Sequence, residues 1–161
     1  MYQYSFANVD LILEMEFPGY TGDKNFKVEG YAAGENLITI TRKAPIAATT
    51  FGAYGDMVVS MQRIRAGDLV FPVLMNSPEN QWLQDYANYF QEQADADGLL
   101  VSPIQGKLVD NMGQDTCLMT NGVILAMPAM TRGQTVNTVT WVITFEKVLY
   151  DRNIGGDYTE L

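Results

Sequence analysis

The twelve residues NTVTWVITFEKV, Asn137–Val148, decide the fold. Large apolar side chains recur at every second position: Val139, Trp141, Ile143 and Phe145. The positions between them carry Thr138, Thr140 and Thr144, with Val142 the one apolar residue of that set. Alternation with a period of two is useful only to a β-strand, so the stretch is predicted to be a strand with one core face. Its other face has no charge before Glu146, which indicates a half-exposed surface or one that a neighbouring subunit covers.

Similar patterns, separated by Gly, Pro, Asn and Asp, predict further strands on both sides of this stretch. With it they number about eight: residues 2–17, 26–31, 36–42, 57–64, 69–75, 99–109, 115–128 and 137–148. We therefore predict a mainly β fold, a β-sandwich or a partly open barrel, in a single domain over residues 1–161.

Two of these strands, 57–64 and 69–75, are predicted to form a hairpin around Arg65-Ala66-Gly67-Asp68. Pro72 lies in the second of them and has no backbone N–H to donate. Its strand is therefore predicted to lie at a sheet edge or to be bulged at that point.

One α-helix is predicted, over about residues 78–93. Ser77 is a favoured N-cap and Pro78 is favoured at the first helical position, although Asn80 stands where a capping box requires Glu or Gln. An apolar stripe is predicted to pack the helix on the sheet: Trp82, Leu83, Tyr86 and Phe90, together with Ala87.

Two segments lack such patterns. Residues 43–56 are rich in small residues and uncharged between Lys43 and Asp56, and a long loop of this kind inside a domain is usually functional. We interpret this segment as an arm that becomes ordered against another subunit. Residues 151–161 are polar and glycine-rich and are predicted to form a C-terminal tail outside the core.

The composition restricts the function. Nineteen acidic residues against ten basic ones give a net charge of −9, which opposes binding to nucleic acid through phosphate neutralisation. The absence of a signal sequence and of a long apolar run predicts a soluble protein made in the cytoplasm, with no membrane partner. Histidine is absent, which excludes the Ser-His-Asp triad, Cys-His activation and the common zinc sites.

The remaining candidates for chemistry are weak. Cys117, the single cysteine, is interpreted as a buried thiol, and Asp95-x-Asp97-Gly98 as a helix-terminating turn, since it lacks the end ligands of a calcium loop. Asp10, Glu14 and Glu16 share one strand face, and paired carboxylates serve glycoside hydrolysis, but a single strand does not place two of them across a cleft. No catalytic residue, metal or cofactor is predicted.

Seven segments, in order along almost the whole chain, resemble the tail tube proteins of contractile-tailed bacteriophages. They are residues 4–9, Gly30-Tyr31 with Gly34 before 37–40, 52–56, 65–68, 77–83, 141–145 and 155–156. The stretch Leu13–Gly19 departs from the pattern and predicts a longer first hairpin.

This resemblance implies a virion structural protein without enzymatic activity, located in the phage tail. It implies six-fold rings whose subunits join their sheets into one β-barrel around a DNA channel, with the rings stacked inside a contractile sheath. The implied partners are further copies of the chain, the sheath protein, the tape-measure protein, and the baseplate and tail-terminator proteins.

Residues for these contacts are predicted as well. The arm residues expected to touch the next subunit or ring are Ala44, Pro45, Ile46, Thr49, Thr50, Phe51, Tyr54 and Asp56. The acids Asp10, Glu14 and Glu16 are candidates for the channel wall, where like charge lets DNA slide without sticking. The threonine face of 138–144 is either a channel wall or a surface towards the sheath.

Three alternatives remain open at this point. A carbohydrate-binding β-sandwich would use Trp82, Trp141 or tyrosines as stacking platforms, although core packing is the usual role of such residues. A hydrolase would use the carboxylates of the first strand. A baseplate or tail-terminating ring would share the fold of a tube protein.

Overall fold

β-strands dominate the chain. The structure, a computed structural model, describes residues 5–31, 37–95, 102–111, 115–135 and 137–152. In these residues it contains a 3-10 helix at Phe6–Asn8, nine strands and one α-helix, α1, at Pro78–Asp95. The strands are β1 Val9–Glu14, β2 Asn25–Lys27, β3 Thr39–Arg42, β4 Ala47–Phe51, β5 Met57–Met61, β6 Gly67–Leu74, β7 Ile104–Asp110, β8 Asp115–Val123 and β9 Thr138–Arg152.

Seven strands form one antiparallel sheet in the order β2-β1-β7-β8-β9-β6-β3, and β4 and β5 form a separate two-stranded sheet. The long strand β9 organises the large sheet: residues 138–145 pair with β6, and residues 144–152 pair with β8. The mainly β class with one helix is therefore confirmed, and within the described residues the sheet does not close into a complete barrel.

The sheet curls strongly. The Leu74 amide of β6 donates to the Gly30 carbonyl at 2.8 Å, and Tyr31 forms an isolated bridge with Val73. Gly30 is three residues beyond the end of β2, a reach of at most about 11 Å. In a flat sheet, β2 and β6 would stand about 24 Å apart, five strand spacings. The sheet must therefore curve round until the chain after β2 meets β6, which gives a partly open barrel.

The core lies inside this curve. The alternate apolar residues of β9, the residues that decide the fold, are fully buried: Val139, Trp141, Ile143 and Phe145. Leu11, Leu13 and Met15 from the first strand region face them, and Leu83 and Tyr86 of α1 join the same cluster. Burial of large apolar side chains of this kind is the main stabilising term of the fold.

The predicted hairpin around Arg65–Asp68 is wrong. Gly67 and Asp68 already belong to β6, and Met57–Met61 pairs with β4 instead, with Phe51 opposite Met57. A Gly-Asp pair signals a turn only by local propensity, whereas strand pairing is decided by which backbone is within reach.

The segment 43–56 is also not a structureless loop. Ala47–Phe51 is a strand, and the turn to β5 is closed by the Gly52 amide, which donates to the Asp56 carbonyl at 2.7 Å. Gly55 adopts a φ of 89°, which favours glycine. The strand lacked a detectable pattern because neither of its faces packs on the core, so no apolar–polar contrast is present.

Other predicted boundaries shift. The first strand is shorter than predicted because residues 6–8 form a 3-10 turn, which the Ser5 hydroxyl caps by accepting from the Ala7 amide at 3.3 Å. Residues 2–4 and 99–101 lie outside the described part of the chain. The strand predicted over 115–128 ends at Val123, whereas the helix prediction is confirmed with its end at Asp95.

The tail and the Pro72 strand also differ from expectation. Strand β9 continues to Arg152, so the predicted tail begins as strand, and residues 153–161 lie outside the described part of the chain. Strand β6 lies inside the sheet rather than at its edge. However, β3 reaches only Val70, so among the described residues the ladder partner of Pro72 is β9 alone.

Candidate assembly surface

The β4–β5 hairpin has two unlike faces. Directly opposed residues of an antiparallel pair point to the same side. The registers Phe51–Met57, Thr49–Val59 and Ala47–Met61 therefore place three large apolar residues of β5 and Phe51 on one side. We call this side the apolar face, and its members are Ala47, Thr49, Phe51, Met57, Val59 and Met61. The opposite face carries Ala48, Thr50, Val58 and Ser60, which are smaller.

Nearly the whole hairpin is exposed. Tyr54 at its tip is 98% exposed, Met61 71% and Met57 57%. Between Lys43 and Arg63 the sequence holds a single charged residue, Asp56. Contiguous exposed apolar surface with little charge is typical of interaction sites. Of the residues predicted for inter-subunit contact, Ala44 is half-buried and the others are exposed: Pro45, Ile46, Thr49, Thr50, Phe51, Tyr54 and Asp56.

The hairpin is attached to the sheet at its base. The Lys43 amide donates to the Ala66 carbonyl at 2.9 Å, and the Gln62 amide donates to the Ile46 carbonyl at 2.9 Å. Within the described residues, β4 and β5 pair with each other and with no other strand. The hairpin thus projects from the barrel as a separate unit.

The large sheet has two edges, β2 and β3. Within the described residues each of these strands is paired on one side only, β2 with β1 and β3 with β6. Unpaired N–H and C=O groups along an edge are a template for pairing with another chain.

The acids proposed for a channel wall do lie on the outer side of the first strand region, but lysines accompany them. Lys27 Nζ lies 2.7 Å from Asp10 Oδ1, and Lys24 Nζ lies 3.2 Å from Glu16 Oε2 and 3.8 Å from Glu14 Oε1. The hydrogen bond from Lys27 lowers the pKa of Asp10 below its ordinary value. This surface is therefore a mixed network with an excess of acid, not a bare acidic wall.

The threonine face of β9 is the outer face of the sheet. Thr138 and Thr140 are exposed, as is Val142, which lies between Thr140 and Thr144 on this face. Thr144 is half-buried, and its hydroxyl donates to Asp68 Oδ1 at 2.8 Å. The face is thus uncharged at Thr138, Thr140 and Val142, two of them polar and one apolar.

The predicted packing residues of the helix all face the sheet. Leu83 and Tyr86 are fully buried, and Trp82 and Phe90 pack partly buried against the same core. The Tyr86 hydroxyl donates to the Ser102 carbonyl at 2.7 Å, and burial raises the pKa of Tyr86 to about 12.

Sequence reasoning missed the role of Asn80. The Trp141 indole N–H donates to Asn80 Oδ1 at 2.9 Å, and Asn80 Nδ2 donates to the Met75 carbonyl at 2.9 Å. Asn80 is buried and ties the start of α1 to the strand that decides the fold. The sequence did indicate this role, because Asn80 shares the apolar stripe with Leu83 and Ala87 at helical spacing. A polar residue on such a buried stripe needs a hydrogen-bond partner.

The start of the helix also packs beside the seam of the barrel, the contact of Gly30 and Tyr31 with β6. Glu79 is buried, and its Oε1 accepts from the Glu29 amide at 3.2 Å. A Cβ at Gly30 would lie 2.6 Å from Ser77 Cβ, a distance that side chains do not tolerate. Glycine at this position therefore lets the chain after β2 approach the helix and β6 closely.

Trp141 and Cys117 are unsuited to a separate function. Trp141 is fully buried and cannot stack on a sugar. Cys117 is buried as predicted, and burial raises its pKa to about 11, which makes the thiolate scarce at neutral pH. In the described part of the chain, no helix has the length and hydropathy required to cross a membrane.

Comparison with known proteins identifies related folds. Residues 1–153 match the model of a family described as bacteriophage PhiTE tail tube protein. None of the curated protein sequences matches the chain significantly.

Several solved structures share the fold. One is an extracellular contractile injection system, PVC sheath/tube terminator in the extended state, 12% identical, with a TM-score of 0.54 over 94% of this chain and 98% of that chain. The PVC sheath–tube complex in the extended state is 12% identical, with a TM-score of 0.52 over 89% and 88%. A chain of the anti-feeding prophage baseplate is 7% identical, with a TM-score of 0.56 over 93% and 97%.

Proposed function

This chain belongs to the bacteriophage PhiTE tail tube protein family, whose members are structural proteins of the phage tail and not enzymes, and we propose that its copies assemble into stacked six-fold rings around a DNA channel. In this proposal the rings lie inside a contractile sheath, and assembly takes place in the host cytoplasm.

The observation that carries the proposal is the exposed β4–β5 hairpin. An isolated two-stranded hairpin is marginally stable in water, and this one exposes Phe51, Tyr54, Met57 and Met61. A subunit that works as a monomer would leave this surface permanently in contact with water. We propose that the hairpin packs on a neighbouring copy, in the same ring or the next one.

The open edges β2 and β3 support closure of a ring. They are different surfaces of the same subunit, so a contact between the β2 edge of one copy and the β3 edge of the next is head-to-tail. Head-to-tail contacts close into a ring when the rotation between copies divides a full turn. Joining the edges also satisfies backbone groups that would otherwise promote aggregation.

The charge of the chain supports passage of DNA without binding. The net charge of −9 gives the protein an overall field that opposes the approach of phosphate. Asp10, Glu14 and Glu16 remain our proposed wall residues, with Lys24 and Lys27 reducing the local field. Their test is the replacement of Glu14 and Glu16 by lysine, after which assembled tubes should retain double-stranded DNA at low salt.

The partners follow from the machines that share the fold. The similar solved structures include a sheath–tube complex, a sheath/tube terminator and a baseplate. We propose sheath, terminator and baseplate contacts for this chain, and a tape-measure protein inside its channel during assembly. A terminator or baseplate ring is the second candidate, because the same fold occurs in both. Copy number per virion distinguishes a tube protein from a terminator or baseplate ring, since a tube protein is present in many stacked rings.

Electron microscopy of the purified full-length chain tests the proposal. We expect rings or tubes of uniform diameter with six-fold symmetry in end views, at protein concentrations high enough for subunits to associate. Monodisperse monomers at every concentration and salt, in the presence and absence of a crowding agent, would contradict it. A ring of another symmetry would contradict the proposed hexamer but still support assembly into rings.

A further inference from the structure

The apolar face of the hairpin carries two methionines, Met57 and Met61, at the two ends of strand β5. Both lie on β5 with Val59 between them, and both point to the same side of the hairpin. Their exposed fractions are 57% and 71%, whereas Met15 and Met119 in the core are 1% and 0% exposed. Met57 and Met61 are thus more exposed than any other described methionine, and they lie on the surface that the proposed function buries.

From this placement we propose that Met57 and Met61 are oxidation sites, and that their conversion to sulfoxides by a hydroperoxide blocks assembly of the free subunit. This inference rests on the proposed function. In the reaction the thioether sulfur attacks the outer peroxide oxygen, the O–O bond breaks and an S–O bond forms. With hydrogen peroxide as the oxidant, the sulfur loses two electrons, which the peroxide gains, and the proton on the transferred oxygen passes to the departing hydroxide, so that water leaves.

The physical effect of the sulfoxide is local. A flexible apolar side chain becomes a polar one with a strong acceptor oxygen, directly beside Phe51 for Met57 and beside Ala47 for Met61. Burying an acceptor without a donor is costly, so each sulfoxide should weaken the contact by about fivefold or more. The fold itself should not change, because β4 and β5 pair with no strand of the large sheet among the described residues.

Oxidation of the other sulfur-containing side chains is either slow or can be measured separately. The single thiol, Cys117, is buried and its raised pKa keeps it in the less reactive protonated form. Met127 and Met130, in the segment after β8, are 45% and 46% exposed and provide an internal comparison. They should oxidise too, but they lie outside the hairpin.

The experiment treats the free full-length subunit with hydrogen peroxide, stopped while Met15 and Met119 are still unmodified. Peptide mass spectrometry locates the added oxygen, and electron microscopy and sedimentation measure assembly. We expect loss of assembly in proportion to oxidation at Met57 and Met61. The double variant Met57→Leu/Met61→Leu should assemble after the same treatment, and Met127→Leu/Met130→Leu should still lose assembly.

Each result has a defined meaning. Assembly of the wild-type protein with both hairpin sulfoxides present, or loss of assembly in the treated Met57→Leu/Met61→Leu variant, would overturn the inference and leave the proposed function intact. Failure of the untreated protein to assemble would instead remove the proposed function and this inference together. In preassembled tubes, slower oxidation of Met57 and Met61 than in the free subunit would support burial of the apolar face. Unchanged rates there would contradict it.

Discussion

At the scale of single residues, a polar side chain at the start of the helix decides how the helix meets the sheet. Asn80 accepts from Trp141 and donates to Met75, so one buried amide joins the helix, the preceding turn and β9. It stands where a capping box would have placed Glu or Gln. The chain has therefore replaced a local capping interaction with a tertiary one, while Ser77 still accepts from the Asn80 amide at 3.4 Å.

The first prediction concerns this amide. Replacing Asn80 by Ala leaves the buried indole N–H of Trp141 without an acceptor, which should lower the free energy of unfolding by about 1–3 kcal/mol despite the better helix propensity of Ala. Urea denaturation followed by Trp fluorescence measures this change. The control is Gln81→Ala, at the next, exposed helix position. Equal stability of the two variants would show that the Trp141 contact contributes little.

The second prediction concerns the Asp10–Lys27 pair and pH. Because the pKa of Asp10 is lowered in the folded chain, its contribution is present above the ordinary carboxyl pKa of 3.8 and is lost as pH falls through the folded value. The pKa of Lys27 is raised above its ordinary 10.5, so the contribution is full below that pH and is lost as pH rises through the folded value. Asp10→Asn should therefore cost about 0.5–1 kcal/mol at neutral pH and nothing in strong acid.

Urea denaturation at several pH values checks this dependence. Glu92→Gln removes the same charge from an exposed helix position and serves as the control. A cost of Asp10→Asn that persists unchanged in strong acid would show that packing, not the ion pair, is responsible.

At the scale of elements, the hairpin is the part of the molecule whose sequence suits contact with another chain. Its apolar face is larger and more hydrophobic than its other face, and adjacent positions of β5 alternate between the two. Val58 and Val59 therefore have the same chemistry on opposite sides. This offers a matched pair of substitutions.

The third prediction uses that pair. Val59→Lys places a charge in the centre of the apolar face and should abolish assembly, because burying an unpaired ammonium is strongly unfavourable. Val58→Lys places the same charge on the opposite face and should leave ring formation much less affected. Electron microscopy of both variants, with circular dichroism to check folding, is the measurement. Equal loss in both would show that assembly buries both faces of the hairpin.

At the scale of the whole molecule, the core and the surface proposed for assembly lie in different parts of the chain. The core is closed by β9, the helix and the seam at Gly30–Tyr31, none of which includes the hairpin. The hairpin ends meet, since the Gln62 amide and the Ile46 carbonyl are 2.9 Å apart. The hairpin strands are therefore separable from the barrel.

The fourth prediction follows from this division. Replacing residues 47–61 by a short Gly-Ser turn should leave the thermal midpoint nearly unchanged and remove assembly. Calorimetry and sedimentation measure the two properties on the same sample. A large fall in the thermal midpoint would show that the hairpin stabilises the isolated subunit after all.

The sequence by itself determined the strand class, the helix and the core. Val139, Trp141, Ile143 and Phe145 indicated a buried strand face, and Leu83 and Tyr86 a buried helix face, because burial is encoded locally as a period of two or of 3.6. The resemblance also identified the tail tube family, to which the chain belongs. The strand at 57–64 was predicted and β4 was not, and the contact of residues 43–56 with another subunit stays a prediction.

The tertiary structure alone decided which strands pair. Met57–Met61 pairs with β4 rather than β6, and the chain after β2 closes on β6 at Leu74. Backbone hydrogen bonds are the same for every residue type, so pairing leaves no local signature unless a face is also buried. The hairpin has no buried face in the subunit, and Asn80 finds its partner 61 positions away. Such contacts form only because the curled sheet brings residues that are far apart in the sequence close together in space, and no local sequence pattern predicts which residues these are.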